Sequence, residues 1–68
     1  MYISYDKLWK ILIDRKMTRT ELKEAAGISF NVLAKMSRCQ PVSLESLHKI
    51  CRAIPCDIGD VMEFTDSR

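Results

Sequence analysis

Phe30, Asn31, Ala34 and Lys35 have the types and the spacing to meet the edge of a base pair. An asparagine carboxamide can pair with adenine N6 and N7, and a lysine ammonium can donate to guanine O6 or N7. Phe30 and Ala34 offer apolar contact to a thymine methyl. On a helix these positions fall one turn apart, so a helix through them would present all four together. Thr18 and Ser29 are N-cap residue types. A helix begun by either would aim N–H groups and the positive end of its dipole at any phosphate in front of it.

Other chemistry has less material. His48 is the single histidine and has no matched nucleophile or carboxylate. With Cys39, Cys51 and Cys56 it supplies metal-ligand atom types, but the spacings fit neither paired Cys-x-x-Cys nor zinc-finger patterns. Cys51 fits an apolar stripe and Cys56 a helix-end contact, both as small hydrophobes, and the thiols are read as reduced. No glycine-rich phosphate loop or pair of catalytic carboxylates is present. The expectation is a protein without catalysis, metal or cofactor.

The candidate residues need two helices to position them. Thr18 and Glu21 have the spacing of a capping box, and Leu22, Ala25 and Ala26 recur at helical spacing. Gly27 then stands where a helix ends and the backbone must accept positive φ. Ser29 caps a second helix, to about Ser37, whose apolar stripe is Val32, Leu33 and Met36. Two short helices with so brief a connection must cross steeply, as in a helix-turn-helix.

Flanking elements follow from the same patterns. A first helix is predicted from about Tyr5 to Arg15, with Leu8, Ile11 and Leu12 inward and Trp9 at the core edge. A fourth is predicted from Leu44 to Ala53, capped by Ser43, with Leu44, Leu47, Ile50, Cys51 and Ile54 as its buried stripe. Pro55 blocks its continuation. Asp57 can cap a last short helix, Ile58 to about Met62, leaving Val61 and Phe64 for the core. The opening MYIS has strand character, and the tail VMEF either closes the chain or pairs with it as a ribbon.

Thr18-Arg19-x-Glu21-Leu22, Ala26-Gly27-Ile28-Ser29, Leu33-x-Lys35-Met36 and Pro41-x-Ser43-Leu44-x-x-Leu47 occur in that order. Together they resemble the Cro/C1-type (XRE-like) helix-turn-helix family of bacterial and phage regulators, over nearly the whole chain. The resemblance implies an all-α, five-helix, lambda-repressor-like domain, with a terminal β-ribbon left open. It also implies a homodimer that binds double-stranded DNA, with the helix Ser29–Ser37 in the major groove. Base readout would fall to Phe30, Asn31, Ala34 and Lys35. Arg19 matches the family's glutamine at the phosphate backbone, and Thr18, Ser29, Arg38 and Gln40 complete the phosphate set. Lys23 and Lys49 are read as solvated surface charges.

Departures from the family pattern are also legible. Leu12 and Ser37 stand where relatives carry an arginine and a glutamate that form a partly buried ion pair. Losing both avoids an unpaired buried charge, and Leu12 is expected to pack near Met36 and Ser37. Lys16 and Cys39 stand where relatives have glycine, so each loop either accepts a strained residue or changes shape. Phe30 replaces a frequent glutamine, and it suits either a thymine methyl or burial against a partner.

At 68 residues, 47% hydrophobic and 29% charged, the chain is expected to form one domain, 1–68, with one small core. No apolar run approaches the ~20 residues of a membrane helix, and no signal-peptide pattern is seen, so a cytoplasmic location is expected. The net charge of +2 hides an asymmetry, +5 over residues 1–54 and −3 over 55–68. A basic body with an acidic tail suits a phosphate-binding face. The competing reading is a protein-interaction module on the same fold, an antitoxin or anti-repressor component gripping its partner around Phe30. Its binding would respond much less to salt than DNA binding does.

Overall fold

The computed structural model describes residues 1–66. In chain order they form β1 (Tyr2–Ser4), α1 (Asp6–Asp14), α2 (Arg19–Ala26), α3 (Phe30–Ser37), α4 (Leu44–Ala53), α5 (Ile58–Val61) and β2 (Glu63–Thr65). Four of the five helices start at caps the sequence supplies. Thr18 and Glu21 form the capping box of α2, Ser29 and Ser43 cap α3 and α4, and Asp57 with Asp60 boxes α5. α1 starts without a side-chain cap, and it is one residue shorter at each end than expected, with Tyr5 and Arg15 as its flanking residues.

Three helix ends close in the same way. Met17 N–H bonds the Leu12 carbonyl, Ile28 N–H the Lys23 carbonyl, and Gln40 N–H the Lys35 carbonyl, each across five residues. This closure needs a left-handed residue just before the donor. Gly27 takes that place after α2 at φ +71, whereas Lys16 and Cys39 take it at φ +54 and +58. The two non-glycine loops therefore keep the closure and accept the strain, about 1–2 kcal/mol each.

The core lies where the helix stripes converge. Tyr5, Leu8, Leu12, Leu22, Ile28, Met36, Leu47, Ile50, Ile54 and Val61 form one buried cluster. Leu12 is 3% exposed and shares that cluster with Met36, as expected for an apolar replacement of an ion pair. Ser37 is exposed, and its hydroxyl is engaged elsewhere.

The termini do pair, antiparallel, with Tyr2 opposite Thr65, Ile3 opposite Phe64 and Ser4 opposite Glu63. Two expected core residues are not in the core. Phe64 is 63% exposed although its partner Ile3 packs on the cluster. The strong twist of a two-stranded ribbon lets one member of a pair lie over the core while the other swings out. Leu44 is 73% exposed, because the first turn of α4 borders an open groove toward α5 rather than a packed neighbour. Cys51, on the same stripe, is only half-buried.

Candidate nucleic-acid interface

α2, the Gly27 turn and α3 carry the candidate residues. Leu22 on α2, Ile28 in the turn, and Leu33 and Met36 on α3 are buried, which fixes both helices and leaves their opposite faces outward. On α3, Phe30, Asn31 and Lys35 are exposed and Ala34 is half-buried. Phe30 is 70% exposed, a large apolar ring with no cover from its own chain. The structure thus brings the four candidates for base contact onto one helix face, with Ala34 the most recessed.

The candidates for phosphate contact are placed less uniformly. The Thr18 hydroxyl accepts the Glu21 N–H at 3.1 Å, and the Thr18 N–H donates to Glu21 Oε1 at 2.8 Å. The Thr18 N–H bond to the carboxylate, with the Thr18 hydroxyl adding to it, holds Glu21 below its ordinary value. Thr18 thus has both its amide and its hydroxyl engaged with Glu21, so an anion at this end would meet the amides of Arg19 and Thr20. Ser29 accepts the Val32 N–H at 3.2 Å, which leaves its hydroxyl proton to donate. Arg38 is exposed at the end of α3, and Gln40 is exposed in the loop beyond.

Residues outside that set hold the surface in shape. The Tyr5 hydroxyl donates to the Gln40 carbonyl at 2.8 Å, anchoring the loop that carries Arg38 and Gln40. Burial pushes the Tyr5 phenol above its ordinary value, with the nearby Cys39 thiol adding to the effect, so it remains a neutral donor. The Arg19 guanidinium lies over the Trp9 ring, 3.8 Å from its centroid, and Nη1 donates to Ser37 Oγ at 2.9 Å. Ser37 in turn donates to the Leu33 carbonyl at 3.1 Å. Trp9 is half-buried, as a core-edge residue requires, and it also stacks. The signal for this was present only as an aromatic on α1 and an arginine opening α2, types that pair when a fold brings them together.

Charge is distributed to suit an anion. α3 contains no acidic residue, and Arg19, Lys35 and Arg38 flank its length. Among the described residues the ion pairs lie elsewhere, Lys7 with Glu63 at 3.5 Å and Lys49 with Glu45 at 3.7 Å. Asp57 and Asp60 are spent on the cap of α5. Among the described residues no cluster of three or more His, Cys, Asp or Glu is placed to hold a metal ion. Among the described residues no helix is long and apolar enough to cross a membrane.

Residues 7–67 match the model of the Cro/C1-type HTH DNA-binding domain. The chain belongs to this family. As a Cro/C1-type protein it is a DNA-binding transcriptional regulator, folded as five helices with a two-stranded ribbon. It is similar to the uncharacterized HTH-type transcriptional regulator YozG of Bacillus subtilis (strain 168), at 38% identity over 56 residues, 79% of this chain and 67% of that protein. It is also similar to the crystal structure of the transcriptional regulator VanUg, with a TM-score of 0.87 and 48% identity over 91% of this chain and 83% of that one.

Proposed function

We propose that this one-domain regulator, residues 1–68, represses transcription by reading duplex DNA sequence with α3 in the major groove. Asn31 and Lys35 contact base edges, and Phe30 and Ala34 meet a thymine methyl. Thr18, Arg19, Ser29, Arg38 and Gln40 hold the phosphates on either side. The observation that carries this reading is the outward face of α3. It is free of acids and bordered by cations outside the ion pairs among the described residues, and it is capped at its start by Ser29.

Such a module covers little DNA alone, so a homodimer on a two-fold-related site supplies the remaining affinity. A groove of about 360 Å³ between α4 and α5 supports this state. It is bordered by the exposed Leu44 and by Ile58, and floored by Leu47 and Cys51. A second copy meeting this apolar groove would bury side chains that are otherwise in water. The reading gives a protein that works on DNA in the cytoplasm and has no catalytic role.

Selection of bound sequences from a random duplex pool at two salt concentrations tests the proposal. A two-fold-related site and a steep fall in affinity with salt are expected. The exposed Phe30 favours one other reading, a protein partner gripped by α3. Recovery of no preferred sequence, with binding insensitive to salt, would select that reading instead.

A further inference from the structure

We infer that Trp9 and Ser37 are positioning residues that hold the Arg19 guanidinium ready for a phosphate. The inference rests on the phosphate role proposed for Arg19. Three elements meet at this group: α1 provides the ring beneath it, α2 carries it, and α3 provides the hydroxyl beside it. The stack is close, 3.8 Å to the ring centroid, and the Nη1 bond to Ser37 Oγ is short at 2.9 Å. Ser37 is itself fixed, because its hydroxyl proton goes to the Leu33 carbonyl one turn back, leaving an oxygen lone pair for Arg19.

A guanidinium has five N–H donors in a rigid plane. The ring takes one face of that plane, and Ser37 takes a donor at Nη1. Arg19 nevertheless remains exposed, so donors remain for an incoming phosphate oxygen. An arginine free in solvent must give up its rotamer freedom when it meets a phosphate, whereas one already clamped between a ring and a hydroxyl has done so beforehand. Ser37 and Leu12 stand where the resemblance places a partly buried ion pair. The position on α3 has thus become a hydrogen-bond acceptor for an arginine that opens α2.

A thermodynamic cycle on binding to a random-sequence duplex at low salt tests this. Ser37→Ala and Trp9→Leu are each made in the native chain and in Arg19→Ala, with thermal melting of every variant. Ser37 is exposed and on a helix, so its alanine variant keeps the fold even if Trp9→Leu loosens it. Each change is expected to weaken binding about two- to fivefold when Arg19 is present and to have no effect when it is absent. Ser37→Thr, which keeps the hydroxyl, is expected to bind as the native chain does.

The outcomes separate the inference from the reading beneath it. Losses of the same size with and without Arg19 would overturn the positioning role while leaving the phosphate contact intact. A gain in affinity on Ser37→Ala would overturn it too, since the clamp would then be holding Arg19 back. Full binding by Arg19→Ala would remove the phosphate role itself, and the positioning role with it. Failure of the native chain to bind the duplex would reject the DNA reading before any variant is compared.

Discussion

Gly27 and Glu21 show how single residues set the shape of the binding surface. A methyl at Gly27 would meet no atom within 4 Å, so space is not what glycine supplies there. It supplies the φ of +71 that closes α2 and sets the approach to α3. Gly27→Ala is expected to cost about 1–2 kcal/mol in urea unfolding, from backbone strain alone. Lys16→Gly, at an exposed left-handed site, is expected to stabilise by up to about 1 kcal/mol. Glu21 has a folded pKa below its unfolded one, held there by its bonds to Thr18. Its stabilising contribution is therefore present above the unfolded pKa and lost as pH falls through the folded value. Glu21→Gln should be less stable than the native chain at neutral pH and converge with it in acid. A stability difference unchanged by pH would show that the capping box owes nothing to the carboxylate's charge.

At the scale of elements, the proposed function divides the work of binding between α2 and α3. The start of α2 and the loop after α3 offer donors and charge without regard to sequence, whereas the exposed face of α3 offers side chains that distinguish bases. Asn31→Ala is expected to relax preference at one base position by about 1–3 kcal/mol, with a smaller loss on random duplex. Arg38→Ala is expected to weaken all sequences alike and to lower the salt slope by about 1. Equal, uniform losses for both variants would remove Asn31 from the readers. The loop that carries Arg38 and Gln40 is held at one point by the buried Tyr5 hydroxyl. Part of the proposed DNA surface is thus anchored by the residue that precedes α1.

Over the whole molecule, the cations of α2 and α3 and the apolar groove are carried by different elements, with Phe30 the exposed apolar ring on the cationic side. Near the end of the chain Glu63 pairs with Lys7 and Asp60 sits in the α5 cap, while α3 carries no acid at all. Leu44 and Ile58, 73% and 40% exposed, border the groove assigned to a second copy. Leu44→Asp is expected to shift sedimentation toward the monomer and to weaken binding to a two-fold site. Binding to a single half-site should change little. A dimer untouched by this change would move the interface away from the groove, with the ribbon and its exposed Phe64 the next surface to test.

The sequence alone determined the helices, the side-chain caps of four of them and the closure at Gly27, and left the loops at Lys16 and Cys39 to the structure. These depend on residues within about five positions of one another, and side-chain type suffices to specify them. It also placed Leu12 in the core by helical spacing, and the resemblance added that an ion pair lost at both ends leaves packing in its place. Only the tertiary structure decided that Phe64 and Leu44 stay in water, that Tyr5 reaches Gln40, and that Arg19 rests between Trp9 and Ser37. Those outcomes depend on which elements meet in space, and on how far a short ribbon twists or a first turn overhangs its neighbours. No local pattern along the chain carries that information.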